Sequence, residues 1–106
     1  MKVNLRGLAI ICLAASSISA AFAQSSGADT YKVKCQMCHG PDGLGNTPAG
    51  KAAKIVSFKD PSVVNASDAD LIAIVKNGKN KMPPFKDKLT DDQIESVITY
   101  IRTLQK

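Results

Sequence analysis

The segment Cys35-Gln36-Met37-Cys38-His39 constrains this chain more than any other. Two thiols at i and i+3, followed at once by an imidazole, suit three chemistries. They can add across the vinyl groups of a haem as thioethers, with the histidine beneath the iron as an axial ligand. They can contribute to a structural zinc site. Or they can cycle as a thioredoxin-like redox pair. Each chemistry asks something different of the remaining residues.

The N-terminus bears on the choice. Lys2 and Arg6 form a basic region, Gly7 to Ile18 is an almost unbroken apolar run, and Ala21-Phe22-Ala23 has the A-x-A form of a cleavage site. The pattern predicts a cleaved secretory signal over residues 1–23 and one domain over residues 24–106, exported to the periplasm. The apolar run is short for a membrane span, so no stable membrane insertion is expected after cleavage. An uncleaved anchor is the alternative. Cys12 follows Ile11 rather than a small residue, which argues against lipidation, and it leaves with the signal.

Export leaves Cys35 and Cys38 as a single pair beside the chain's one histidine, His39. A disulfide closing so small a loop stabilises little. A structural zinc site needs four ligands, and no spacing nominates a carboxylate to complete the set. A thioredoxin-like pair sits beside a βαβ pattern, and no strand pattern precedes Cys35. The haem reading meets none of these obstacles. Size agrees with it. The 83 residues after the signal contain only Tyr31, Phe58, Phe85 and Tyr100 as aromatics and no tryptophan. So short a chain struggles to build a core alone, and a covalent porphyrin would complete it. The haem-free chain is therefore expected to be largely unfolded.

Helices and loops account for the domain. Ala28, Tyr31, Cys35 and Cys38 share helical spacing from about Gly27 to Cys38. Gly40 to Gly50 is rich in turn residues and reads as a loop; its Gly43-Leu44-Gly45 lacks the strand and third glycine of a phosphate loop. Lys51 to Val64 is ambiguous, a short helical turn and then coil around Pro61. A helix then starts at Ser67 as N-cap with Asp70 three residues on, carries Leu71, Ile72, Ile74 and Val75 as its apolar face, and ends at Gly78. The last helix opens with Thr90 and Gln93 as a capping box, and Ile94, Val97, Ile98, Ile101 and Leu104 form its apolar stripe.

Between these two helices lies Lys79-Asn80-Lys81-Met82-Pro83-Pro84-Phe85. Pro83 drives Met82 out of helical geometry, and Pro84 stiffens the stretch further. The loop thereby presents one soft thioether, which suits the sixth position of an iron already bound by imidazole. Filling a core gap is the other use of such a methionine. Met37 sits inside the attachment motif, so Met82 is the candidate ligand.

The order Gly27, Tyr31, Cys35-x-x-Cys38-His39-Gly40, then Met82-Pro83, then an amphipathic last helix with Tyr100 resembles a small class I c-type cytochrome. The resemblance implies an all-α fold, three to four helices wrapped around one haem c, with Cys35 and Cys38 as its thioether anchors and His39 and Met82 as iron ligands. It implies that the first and last helices cross closely, with Gly27 allowing the approach and Tyr31 packing on the last helix. It implies a proline carbonyl accepting from the His39 ring, for which Pro48 is the nearest fit. Lys51, Lys54 and Asn80 are candidate donors to the haem propionates.

Removing Lys2 and Arg6 leaves 12 basic against 9 acidic side chains, a net charge of +3. Lys76, Lys79, Lys81, Lys86 and Lys88 gather around the methionine loop. That cluster would steer a redox partner with an acidic docking face. An exported chain with no arginine cluster or aromatic platform is not built for nucleic acid. The expected function is that of a soluble, monomeric electron carrier rather than an enzyme. Two alternatives stand: a dedicated electron-input subunit of a larger oxidoreductase, and a haem enzyme or gas sensor with a labile Met82.

Overall fold

Side-chain oxygens set where the helices start. The computed structural model describes residues 26–106, so the expected signal segment and Cys12 lie outside the described residues. The elements are α1 (Gly27–Lys34), α2 (Gln36–His39), α3 (Pro48–Ala53), α4 (Pro61–Val64), α5 (Asp68–Asn77) and α6 (Asp91–Leu104). All but α2 open with a side-chain cap: Ser26, Thr47, Asp60, Ser67 and Thr90 each accept from a backbone N–H two or three residues on. Those N–H groups have no partner inside the helix, and the caps supply one. At α6 the capping box closes both ways, with Thr90 N–H donating to Gln93 Oε1 at 2.8 Å and Gln93 N–H to Thr90 Oγ1 at 3.2 Å. No strand is present among the described residues beyond an isolated bridge between Lys79 and Met82. The fold is all-α.

Three helices carry the core. The stripe Ile94, Val97, Ile98 and Ile101 of α6 is buried, with Leu104 partly so, and Leu71 and Val75 of α5 join it. Each fully buried aliphatic side chain contributes about 1.5–3 kcal/mol relative to exposure. The first and last helices cross at Gly27, where any Cβ would overlap the Ser96 carbonyl oxygen. One turn on, Tyr31 is 1 % exposed, its ring centroid 5.2 Å from that of Tyr100. The close crossing that the resemblance implied is thus present at both residues.

Three expectations need correction. The helix read from Gly27 to Cys38 breaks at Cys35, whose backbone (φ −120°, ψ −34°) separates α1 from α2. The loop read from Gly40 to Gly50 stops short, because Thr47 caps α3 and Pro48 occupies its first turn. Pro61 likewise starts α4 behind its Asp60 cap instead of sitting in coil. Proline suits a first helical position, where its missing N–H costs nothing.

The methionine loop is pinned at both ends. Gly78 stops α5 at φ +75°, a conformation that favours glycine. Lys79 and Met82 then exchange both backbone hydrogen bonds, at 3.1 and 2.9 Å, around a turn in which Asn80 takes φ +53°. Beyond the prolines, Phe85 N–H donates to the Val75 carbonyl at 2.9 Å and Lys86 N–H to that of Lys76 at 3.2 Å. Phe85 and Leu89 are buried beneath the segment.

Candidate functional site

The inner faces of α5 and α6 do not close on each other completely. Leu71, Ile74 and Val75 from α5 and Val97, Ile98 and Ile101 from α6 line a cavity of about 320 Å³, together with Cys35, His39 and Met82. Residues more than forty positions apart in sequence therefore face one apolar space. Met37 takes no part, being 82 % exposed.

The attachment segment is held by its backbone. Three consecutive carbonyls are each claimed by a different part of the chain: Cys38 by Thr47 Oγ1 at 2.7 Å, His39 by Gly45 N–H at 2.8 Å, and Gly40 by the Tyr31 hydroxyl at 2.5 Å. Gly50 makes the first of these possible, since a Cβ there would overlap the Cys38 carbonyl oxygen. The His39 ring stacks on Phe58, with centroids 4.7 Å apart and planes 22° from parallel. Phe58 is itself buried, lodged over Gly43, where any Cβ would strike its ring.

The electrostatics discriminate among the three chemistries. Burial lowers the His39 pKa, which keeps the imidazole neutral with a lone pair to donate. Its Nδ1 is buried without a hydrogen-bond partner. Burial, with Cys38 adding to it, pushes the Cys35 thiol up to about 11. A dithiol redox pair needs the opposite shift. No group of three or more His, Cys, Asp or Glu side chains placed to hold a metal ion occurs among the described residues, so no four-ligand zinc site is formed among them. A haem fits the residues present: two thiols to anchor it, apolar walls to bury it, and a neutral imidazole and a thioether on the same cavity.

The secondary expectations divide. Pro48 opens α3, and the His39 Nδ1–Pro48 hydrogen bond is not formed. Of the candidate propionate donors, Lys54 and Asn80 line the cavity and Lys51 does not; Lys79 and Lys81 line it too. Lys81 Nζ reaches the Ala52 carbonyl at 3.5 Å, and Lys54 ends α3 in the left-handed region at φ 55°. The lysine cluster is not uniform. Lys76 pairs with Asp91 at 2.9 Å, and Lys88 lies 5.6 Å from the Phe85 ring centroid. Phe58 was not singled out from sequence, where it is one apolar residue in an irregular stretch.

An all-α chain that brings Cys35 and His39 of a Cys-x-x-Cys-His motif and a proline-braced methionine to one apolar cavity, with Cys38 outside its lining, defines a haem protein of the c type. Comparisons with known proteins agree. Residues 22–101 match the family described as cytochrome C oxidase, cbb3-type, subunit III. The chain is 37 % identical over 97 residues to cytochrome c6 of Gloeothece citriformis, covering 89 % of this chain and 84 % of that protein. It is 30 % identical to the cbb3-type cytochrome c oxidase subunit FixP of Sinorhizobium medicae, covering 78 % of this chain but only 30 % of that protein. The solved KustC0563 c-type cytochrome superimposes with a TM-score of 0.71 at 30 % identity, over 77 % of this chain and all of that one. The chain belongs to the class I c-type cytochromes, and its cofactor is one haem c bound covalently through Cys35 and Cys38.

Proposed function

We propose that this cytochrome carries single electrons between redox partners, with His39 and Met82 as the two axial ligands of its haem iron. The observation that carries this reading is that His39 from α2 and Met82 from the loop before α6 line one cavity, while Met37 faces solvent. When bound, the haem supplies the one-electron Fe(III)/Fe(II) couple. The Met82 thioether would favour the reduced ion, and the neutral His39 imidazole would supply a second ligand. The Lys79–Met82 bridge and the Phe85–Val75 hydrogen bond hold the loop, so that Met82 stays at the site and exogenous ligands are kept off. That separates a carrier from a haem enzyme or gas sensor, which needs an open or easily vacated position.

Lys54, Lys79 and Lys81 border the cavity, and we read them as the face that meets an acidic redox partner. Residues 1–23 we read as a secretory signal that delivers residues 24–106 to the periplasm as a monomer.

Redox-titrated visible spectra of the wild type and Met82→Ala test the ligand assignment. The variant should lose the methionine–iron charge-transfer band and titrate at a lower potential. An unchanged spectrum and potential would remove Met82 from the iron, and immediate carbon monoxide binding by the wild type would displace the carrier reading.

The match to a FixP subunit favours a second reading, an electron-input module of a larger oxidoreductase. Purification from the native host separates the two: a monomer supports the free carrier, and stable co-purification with oxidoreductase subunits supports the module.

A further inference from the structure

The C-terminal end of α6 carries two polar side chains that reach the backbone of cavity-lining residues without lining the cavity themselves. Arg102 Nη2 donates to the Ala66 carbonyl at 2.5 Å and Nη1 to that of Val63 at 3.2 Å, while Nε meets Asp68 Oδ1 at 2.9 Å. Gln105 Nε2 donates to the Phe58 carbonyl at 2.9 Å, and its Oε1 accepts from Arg102 Nη1 at 3.2 Å. Phe58, Val63 and Ala66 all line the cavity. On its other side Phe58 N–H donates to the Gly43 carbonyl at 2.9 Å. The backbone of Phe58 is thus held from two directions, and its ring is the surface against which His39 stacks.

We propose that Gln105, steadied by Arg102, is a positioning residue that acts through Phe58 to fix the plane of the His39 imidazole and keep water off it. The end of α6 thereby tunes an iron site that it never touches. This rests on the assignment of His39 as an iron ligand. The physical lever is solvation. Ferric haem carries one more positive charge than ferrous haem, so water admitted beside the ligand ring stabilises the oxidised state and lowers the potential. A neutral amide-to-carbonyl hydrogen bond is modest by itself, about 0.5–1.5 kcal/mol. Its leverage comes from where Phe58 sits.

The competing account is that Arg102 and Gln105 only fasten the 55–67 segment to α6. Holoprotein variants Gln105→Leu, Phe58→Leu and the double substitution separate the two, with midpoint potential and melting temperature measured on each. At fixed ambient potential, well below the melting temperature, each single variant should show a reduced-to-oxidised ratio lower by about twofold or more, the low end of coupling for residues in contact. The double variant should show no more than the larger single effect, because both act through one ring. Wild-type potential in Gln105→Leu overturns the proposal, whether or not the melting temperature falls. Additive effects in the double variant overturn the shared route. The methionine–iron charge-transfer band is read in parallel: its absence from the wild type would defeat the ligand assignment, while its presence with unmoved potentials would defeat this inference alone.

Discussion

Gly27 and Ser96 meet so closely at the crossing of α1 and α6 that a methyl group on Gly27 would occupy the place of the Ser96 carbonyl oxygen. Glycine is ordinarily a poor helix residue, and alanine would be preferred there by up to about 1 kcal/mol. Here packing reverses the preference. Gly27→Ala should destabilise the holoprotein by about 1–3 kcal/mol, as overpacking does. For a domain of this size that is roughly 4–8 °C in Tm per kcal/mol. A thermal melt showing equal or greater stability would refute the crossing.

Tyr31 supplies a test in alkali. Burial, reinforced by the neighbouring Tyr100 and Asp42, raises its phenol well above the ordinary value of 10. The folded protein therefore holds this proton more tightly than the unfolded chain does. The stability so gained is fully present below about pH 10 and is lost as pH rises through the folded-state value. Tyr31→Phe should flatten that alkaline loss relative to wild type. At neutral pH it should cost about 0.5–1.5 kcal/mol, because a buried hydrogen bond is lost while the Gly40 carbonyl keeps the Gly43 N–H as donor. Denaturant unfolding of both proteins across alkaline pH measures the difference.

The haem-free chain should not fold. The facing residues of α5 and α6 leave a cavity between them, and its apolar walls need an occupant. Far-UV circular dichroism of Cys35→Ala/Cys38→Ala should show little helix, and native-like helix content would contradict this.

Charge at the cavity border should govern reaction with small anions. Lys79 and Lys81 border the cavity, whereas Lys76 is engaged by Asp91. Replacing Lys79 and Lys81 together by Gln should slow oxidation by an anionic metal complex by about 10-fold at low salt, the low end of what steering can supply. The rate with a neutral oxidant should hardly change, and added salt should erase the difference. Lys76→Gln should have much the smaller effect.

The parts legible in sequence were those with a local physical cause. Thr90 with Gln93, Ser67 with Asp70, and the isoleucine–valine stripe of α6 each carry their own signal, and each appears where it was expected. The proline-forced exit of Met82 was legible for the same reason. Pro48 and Pro61 were misjudged as loop residues although Thr47 and Asp60 ahead of them were readable as caps. The break at Cys35 was not legible, because apolar spacing continues across it while the backbone does not. The bonds of Arg102 to Val63 and Ala66 depend on a loop more than thirty residues away, which no local pattern reveals.

Cys35 lies half-buried against the core, its thiol pushed up to about 11. A protonated, enclosed sulfur is a poor nucleophile. The carbonyls that fasten the attachment segment are meanwhile claimed by α1, α3 and the loop between, and these must already be in place for the segment to adopt its final form. We expect the Cys35 carbon–sulfur bond to form while the polypeptide is still open, with the native architecture closing around the product, in keeping with a haem-free chain that does not fold by itself.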